Sequence, residues 1–312
     1  MISYKISSNS KKFIILLLVT VGIFVLLFSR IDFFSMIQIL LNINILTLGL
    51  AFAFTFIITL IMSKRWQILL HASTIDISFR ESFVIFWGTY PFSAIMPAMS
   101  SDLIRAIPLK GRYRISKVIG SCISEKAFDF VILLFILSFG MILTNNWHYQ
   151  NIVITSFLLI TFFLIIIRFR FKLPVSEKWN ERFFNVLNSL RLVVKDKFTV
   201  FKVILYTVCI WLLSIFQVAL FFDAVNVSVP LTVICALIPL AIFIGQLPIS
   251  LGGAGTRDAA IILLFAGYGS TSQLLAVGIL FSIFRCWLPA LIGISFMKKM
   301  GITDLLKKNE PE

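Results

Sequence analysis

Charged residues are scarce in this chain, since Asp, Glu, Lys and Arg together make up 13% of its 312 residues. In soluble domains these four residue types make up about 25% of the chain, so the composition excludes an ordinary soluble protein. The four cysteines stand apart, with no CxxC pair and no histidine beside them, which argues against a disulfide framework or a zinc site. We therefore expect neither a metal nor a cofactor.

Apolar residues dominate the sequence instead. Hydrophobic residues make up 59% of the chain, which includes 33 phenylalanines, and the mean hydropathy is +1.01. This composition predicts an all-α polytopic membrane protein. The formal net charge of +14 falls in a few short linkers rather than in a basic soluble domain. That distribution is typical of cytoplasmic loops and argues against nucleic-acid binding.

Six segments have the length of about 20 residues that a transmembrane helix needs. Lysines and arginines cluster before the first segment, in two linkers and after the last one, whereas the other two connectors are almost uncharged. The pattern predicts a multi-pass protein of the plasma (inner) membrane with both termini in the cytoplasm. The predicted spans are residues 13–29, 45–62, 118–142, 152–168, 203–222 and 274–297.

Two further apolar segments, about 82–104 and 231–267, must each begin and end on the same side of the membrane. Proline interrupts both, and broken helices are tolerated at membrane depth where they pack on protein or face a water-filled cavity. We expect two opposed re-entrant helical hairpins within a single membrane domain, residues 1–312. The prolines are Pro91 and Pro97 in the first hairpin, and Pro239 and Pro248 in the second.

The two interruptions share an arginine beside an aspartate: Asp102 precedes Arg105, and Arg257 precedes Asp258. An arginine in hydrocarbon costs at least about 2.5 kcal/mol, so the two sites predict a polar cavity inside the membrane. Their similarity favours an internal inverted duplication, and independent evolution of two kinks is the alternative.

A glycine-rich turn at Gly252, Gly253 and Gly255 precedes a predicted helix. Free N–H groups at a helix N-terminus attract anions. Arg257, in the first turn of that helix, either pairs with Asp258 or binds a phosphate or carboxylate of the substrate.

Glu125 and Asp129 are four residues apart on one predicted helical face. They either line the cavity, or lie at the headgroup level, or pair with Arg105. Arg285 lies deep in the last span and requires a partner, for which Glu125, Asp129 or a lipid headgroup are the candidates.

The linker 176–198 repeats large apolar residues at helical spacing, with lysines and arginines between them. This pattern indicates an amphipathic helix on the inner leaflet. A plain surface connector is the alternative interpretation.

Two stretches, MPAMSSDLIRAIPLKGRYRISKVIGSCISEKAFD and LPISLGGAGTRDAAIILLFAGYGSTSQLLAVGILFSIFRCWLPALIG, resemble the transmembrane region of lysylphosphatidylglycerol synthases. That family also contains stand-alone, flippase-like membrane proteins of the UPF0104 type, and the resemblance covers nearly the whole chain. The sequence departs from the usual family pattern at four positions. Ser100 and Ser101 replace two glycines, Lys126 replaces an arginine, and Asp258 stands where glutamate is commoner.

The resemblance implies a membrane domain that moves a lipid between leaflets. Bifunctional members add a soluble aminoacyl-transferase domain, for which this chain leaves no room, so we expect a transporter of anionic or glycosylated lipids rather than an enzyme. The alternatives are an intramembrane transferase with Glu125 or Asp129 as base, and a non-catalytic scaffold for a cell-envelope synthase. The candidate substrate-binding residues are Arg105, Arg257, Arg285, Asp102, Glu125, Asp129, Asp258, Gly252, Gly253 and Gly255.

Overall fold

The computed structural model describes residues 33–96, 101–144, 150–168, 188, 190–247, 250 and 253–300, together with positions 17, 18, 20 and 22. Throughout this part of the chain the regular elements are helices, and a single isolated bridge joins Lys110 to Tyr113. The expectation of an all-α polytopic membrane protein is confirmed.

Ten α-helices have both of their ends among the described residues, and they are accompanied by two short 3₁₀ helices and one π-helical turn. They are α1 (Phe33–Leu41), α2 (Ile45–Ala72), α3 (Phe79–Ile95), the 3₁₀ helix Ser101–Ala106, α4 (Ile115–Leu143), α5 (Gln150–Arg168), α6 (Lys197–Ala224), α7 (Leu231–Gln246), α8 (Thr256–Leu264), α9 (Thr271–Ser282), the π-helical turn Ile283–Trp287, α10 (Leu288–Met297) and the 3₁₀ helix Lys298–Met300.

Four helical segments are long and apolar enough to cross a membrane: α2, α4, α6 and the continuous run Thr271–Met297. They correspond to four of the six predicted spans, each extended by a few residues or more. The predicted span 152–168 forms α5, whose apolar part Asn151–Phe162 is shorter than the others. The predicted span 13–29 lies almost entirely outside the described residues.

Broken helices occupy the positions of the two predicted hairpins. The first consists of α3 and the 3₁₀ helix Ser101–Ala106, and the second consists of α7 and α8. Met96 and Leu247, which precede Pro97 and Pro248, have extended backbones with ψ of 154° and 136°. A proline disfavours helical geometry in the residue before it, so the two prolines end α3 and α7. The prediction that Pro91 and Pro239 also interrupt the hairpins is wrong, because both lie inside helices that continue through them.

The chain repeats itself structurally. A first half of α2, α3 and α4, with 28, 17 and 29 residues, matches a second half of α6, α7 and the run Thr271–Met297, with 28, 16 and 27 residues. The turns after α2 and α6 are also alike. Thr74 and Asn226 both have positive φ, 64° and 57°, in equivalent places. The same capping bond follows each, from Ile75 N–H to the Leu70 carbonyl and from Val227 N–H to the Phe222 carbonyl.

The two halves are inverted relative to each other, as a reciprocal pair of hydrogen bonds between α2 and α6 shows. Arg65, the twenty-first residue of α2, donates to Thr207, the eleventh of α6, at 3.0 Å. Gln217, the twenty-first residue of α6, donates to Thr55, the eleventh of α2, at 2.8 Å. Such an exchange occurs when two equivalent helices run antiparallel about a two-fold axis. The geometry supports the predicted inverted duplication.

The first helix of each hairpin packs on the opposite half of the molecule. Helix α3 packs on α10 of the other half, and α7 packs on α4. Glycines permit both close approaches: a Cβ on Gly293 would meet the Trp87 carbonyl, and one on Gly140 would lie 2.5 Å from the Ala236 nitrogen. The second part of each hairpin returns to the last span of its own half. Each hairpin therefore contacts both halves.

Most of the predicted amphipathic linker 176–198 lies outside the described residues. Residues 190–195 are helical, and Leu190 and Val193 are buried against the protein. The linker ends earlier than predicted, because Asp196 caps the first turn of α6 by accepting hydrogen bonds from two backbone N–H groups. Hydrogen bonds, first from the Thr199 hydroxyl, hold the pKa of Asp196 below its usual value.

Candidate functional site

A cavity of about 230 Å³ lies between the two hairpins, where the inverted halves meet. Its walls come from α2, α3, α4, α6, α7, α8 and the last span, so both hairpins and both halves contribute. Six charged side chains line it among apolar and hydroxyl-bearing neighbours. The charged lining residues are Asp102, Arg105, Lys126, Asp129, Arg257 and Arg285, and the other polar ones include Thr89, Tyr90, Ser93, Trp211 and Gln246.

Arg65 is the centre of the charged network behind the first hairpin. Its side chain is fully buried, and its guanidinium donates to Asp129 at 2.6 and 3.1 Å and to Glu125 at 2.7 Å. Trp211 adds a further N–H bond to Asp129 at 3.0 Å. A buried guanidinium needs such anionic partners, because removing it from water without them is strongly unfavourable.

Arg105 extends this network toward the cavity. It donates to Glu125 at 2.6 Å and to Asp102 at 2.5 Å, and Asp102 also binds Lys126 at 2.9 Å. The Arg105 guanidinium lies 4.0 Å from the centroid of the Phe86 ring. Cations and carboxylates thus alternate along the chain of contacts, and this cluster of three cations and three carboxylates is neutral.

Local helix geometry places these side chains. In the 3₁₀ helix Ser101–Ala106, residues three apart lie on the same face, which brings Asp102 beside Arg105. On α4, the four-residue spacing of Glu125 and Asp129 directs both carboxylates toward Arg65. The predicted interpretation in which Glu125 pairs with Arg105 is observed, and Asp129 pairs with Arg65.

Arg257 and Asp258 occupy the start of α8 on the second hairpin. Arg257 donates to Asp258 at 3.2 Å and to the Ser282 hydroxyl, and its guanidinium lies 4.3 Å from the Phe281 ring centroid. Asp258 also accepts from the Gly255 N–H at 2.9 Å, which caps the first turn of α8. The N–H of Gly255 is therefore already bonded within the protein.

The glycine turn has a structural requirement of its own. Gly253 and Gly255 have positive φ, 76° and 86°. A Cβ on Gly253 would collide with the Gly245 carbonyl at the end of α7. The turn thus lets the two arms of the second hairpin approach closely. Gly252 lies outside the described residues.

Arg285 differs from the other cavity arginines. It lies in the π-helical turn Ile283–Trp287 and lines the cavity, but within the described ranges no residue forms a hydrogen bond or an ion pair with it. Its two protein candidates, Glu125 and Asp129, are bound to Arg65 and Arg105 instead. Single π-helical turns within α-helices are frequent at functional sites.

The charges around the cavity do not cancel. The five cations Arg65, Arg105, Lys126, Arg257 and Arg285 face four carboxylates, and each of the eight carboxylate oxygens already accepts a hydrogen bond or ion pair. One positive charge remains in excess among the described residues. The charged site residues therefore form two groups, a neutral network in the first half and, in the second half, the arginines Arg257 and Arg285 with the single carboxylate of Asp258.

Sequence reasoning missed Arg65 as a site residue, because it lies beyond the end of the predicted span 45–62. The available signal was the apolar run after Arg65, because Trp66, Leu69 and Leu70 extend the same helix and are buried. Thr207, Trp211 and Gln217 were also missed, since single polar residues within an apolar helix carry little information before their neighbours are known.

The fold and the cavity define a multi-pass membrane protein built from two inverted halves with interleaved hairpins. The chain belongs to the family of the lysylphosphatidylglycerol synthase TM region, which it matches over residues 13–293. It is also similar to a UPF0104 membrane protein of Methanothermobacter thermautotrophicus, with 23% identity over 287 residues that cover 81% of this chain and 85% of that protein.

Proposed function

We propose that the protein is a lipid flippase, or lipid transporter, that moves an anionic or glycosylated headgroup between the leaflets of the plasma membrane, with both termini in the cytoplasm. The observation that carries the proposal is the excess positive charge at Arg285, in a cavity enclosed by apolar helices. A guanidinium held there without a partner among the described residues is costly, and an anionic ligand would provide a counter-charge.

The cavity suits the difficult step of lipid translocation. A polar headgroup loses its hydrogen bonds to water when it enters hydrocarbon, which costs several kcal/mol for each unsatisfied polar group. Hydroxyl, amide and guanidinium groups from both hairpins line the cavity and can replace those bonds, while the acyl chains stay in the bilayer.

The inverted halves support a carrier that opens to either side. In many transporters the substrate site lies between two inverted repeats, and one repeat rocks against the other. Here α3, a helix of the first half, packs on the second half, and α7, a helix of the second half, packs on the first half. A movement of one half against the other therefore moves both hairpins together. The hydrogen-bonded pair α2 and α6 lies on the two-fold axis and is a suitable pivot.

The state of the carboxylates favours a carrier over an intramembrane transferase. A general base must have an oxygen available for the proton that it abstracts. Glu125 and Asp129 each hold guanidinium groups with both oxygens. Their arrangement is that of counter-ions rather than of a catalytic base.

Reconstitution into liposomes tests the proposal. A fluorescent phospholipid with an anionic headgroup is incorporated, and a membrane-impermeant quencher added outside reports the rate at which lipid reaches the outer leaflet. We expect protein-dependent translocation that Arg285→Gln reduces at least about tenfold, because a charge-assisted contact contributes about 1.5–3 kcal/mol.

Arg112→Gln is the matched control, since Arg112 is an exposed arginine that pairs with Glu81 outside the cavity. It should translocate lipid at the rate of the unmodified protein. Equal rates for Arg285→Gln and the unmodified protein would contradict the proposal. A chemically changed lipid recovered by chromatography would favour the transferase instead.

A further inference from the structure

The charged side chains around the cavity do not balance one another within the described part of the protein. Arg285, in the π-helical turn, lines the cavity and has no hydrogen bond or ion pair to any described residue. The hairpin residues that lie outside the described ranges are 97–100, 248–249 and 251–252, and none of them is charged. The two hairpins therefore supply no further carboxylate for the surplus cation.

Rearranging the ion pairs around the cavity moves the surplus charge but does not remove it. Asp129 and Arg285 are the fifteenth residues of α4 and of the run Thr271–Met297, and both line the cavity. Asp129 accepts from Arg65 at 2.6 and 3.1 Å. If Asp129 turned to Arg285, five cations would still share four carboxylates. Only a negative charge from outside these residues makes the cavity neutral.

An unbalanced charge matters most while the cavity changes sides. A carrier made of two inverted halves exposes its site first to one side of the membrane and then to the other. Between these states the site is closed to water, and a charge enclosed by apolar helices is then far less stable than a charge in contact with water. A bound anion removes this penalty. The loaded cavity should therefore pass through the closed state much faster than the cavity without an anion.

Resting on the proposed function, we infer that the cavity changes sides only with an anion bound beside Arg285, so that the carrier works by exchange. It takes an anionic lipid from one leaflet and returns with an anionic lipid from the other, and it does not return unloaded. Such one-for-one exchange moves no net charge across the membrane and redistributes anionic lipids between the leaflets without changing their total number in either leaflet.

Cys286 provides a reporter of the side to which the cavity is open. This free cysteine follows Arg285 in the π-helical turn, is half-buried and lines the cavity. In a background of Cys122→Ala, Cys209→Ala and Cys235→Ala, a membrane-impermeant maleimide labels Cys286 only where the cavity is open to the reagent.

The labelling is measured on the reconstituted full-length protein. In phosphatidylcholine vesicles, in a chloride-free zwitterionic buffer, labelling from outside should stop at the fraction of molecules inserted in one orientation. Phosphatidylglycerol in both leaflets should bring the labelling of Cys286 to completion, because each molecule then visits both states. Completion without phosphatidylglycerol, or no completion with it, would overturn the inference.

Two variants test the role of charge balance. Arg285→Gln removes the surplus cation, so labelling should be complete without phosphatidylglycerol. Phe281→Glu places a carboxylate beside Arg257, at the position that Glu125 has in the first half, and should have the same effect while Arg285 is kept. Arg112→Gln should retain the dependence on phosphatidylglycerol. A dependence that survives in both cavity variants would overturn the assignment to Arg285.

Lipid movement gives a second measurement. Fluorescent phosphatidylglycerol is placed in the outer leaflet of proteoliposomes whose inner leaflet is phosphatidylcholine, with or without unlabelled phosphatidylglycerol. Inward movement should be at least about tenfold faster when the inner leaflet contains phosphatidylglycerol. Without it, movement should stop after about one labelled lipid per carrier, because the cavity then has no anion with which to return. Equal rates would overturn the inference.

A chloride arm distinguishes the source of the returning anion. Chloride enclosed in the vesicles should not replace phosphatidylglycerol in the inner leaflet. If it does, the returning anion is inorganic and the exchange of lipid for lipid is overturned. Translocation that requires no anion on the opposite side would refute this inference alone, whereas anion-dependent labelling of Cys286 without lipid translocation would refute the transport proposal alone.

Discussion

The two halves of the molecule share a scaffold and differ in charge. The eleventh, twelfth and fifteenth residues of the last span are Glu125, Lys126 and Asp129 in the first half. Their counterparts in the run Thr271–Met297 are Phe281, Ser282 and Arg285. The first half supplies one carboxylate for each of its three cations, whereas the second half supplies one carboxylate, Asp258, for two arginines. Equivalent helices thus hold a charge-balanced ionic network in the first half and a site with one unbalanced positive charge in the second half.

The contrast is clearest for the two hairpin arginines. Arg105 contacts the eleventh residue of its span, Glu125, through a charged hydrogen bond of 2.6 Å. Arg257 contacts the eleventh residue of its span, Phe281, through the ring face. Since a phenylalanine ring accepts no conventional hydrogen bond from the guanidinium, Arg257 keeps N–H groups free. This difference between a carboxylate and a phenyl ring leaves Arg257 with one carboxylate partner where Arg105 has two.

The largest loss of stability is expected when Arg65 is replaced by glutamine, the residue that its counterpart Gln217 has in the second half. Arg65→Gln leaves Glu125 and Asp129 without their central cation, and breaking a buried pair in this way costs about 3–5 kcal/mol. The free energy of unfolding of the purified protein in detergent should fall by this amount. The double variant Arg65→Gln with Asp129→Asn should recover part of the loss, because it removes an unpaired charge. A single variant as stable as the unmodified protein would show that the network is not stabilising.

A smaller loss of stability is expected when the contact between α4 and α7 is disrupted. Gly140→Ala places a Cβ 2.5 Å from the Ala236 nitrogen, on backbone that cannot rotate away. Overpacking of this kind costs about 1–3 kcal/mol and should lower the thermal midpoint. Gly49→Ala is the control, because nothing lies within 4 Å of its added Cβ, and alanine favours helices. Equal destabilisation by both variants would contradict the close packing of the second hairpin.

Gln217→Ala should have a more modest effect than Arg65→Gln. The glutamine amide donates to the Ala51 carbonyl and to Thr55, both at 2.8 Å, and no charge is left unpaired when it is removed. A neutral hydrogen bond contributes about 0.5–1.5 kcal/mol, so the unfolding free energy should fall by about 1–2 kcal/mol. A loss as large as that of Arg65→Gln would show that the two positions are energetically alike despite their different charge.

The smallest effect on stability is expected at Arg285. Arg285→Gln removes a cation that has no counter-ion among the described residues, so the free energy of unfolding should stay within about 1 kcal/mol of its original value or rise. Lipid translocation should nevertheless be lost in the liposome assay. Destabilisation comparable to that of Arg65→Gln would indicate a structural partner and would weaken the assignment of Arg285 to the ligand.

Several features followed from sequence patterns alone. Pro97 and Pro248 predicted where α3 and α7 end, because proline acts on its immediate neighbour, and Met96 and Leu247 are extended as expected. The helical spacing of Glu125 and Asp129 likewise predicted their common face. Arg65 escaped prediction, because an arginine near a lysine at the end of an apolar segment has the same sequence signature at a membrane boundary as in a buried network.

Amino-acid composition and local spacing were sufficient to establish an all-α membrane protein, most of its spans and two broken hairpins with arginines beside them. Those properties depend on hydropathy and on neighbours a few residues apart. The partner of each charge depended on tertiary structure, because Arg65, Asp129 and Thr207 are brought together from three helices far apart in the chain. That packing decided which arginines have a carboxylate partner and which arginine has none among the described residues.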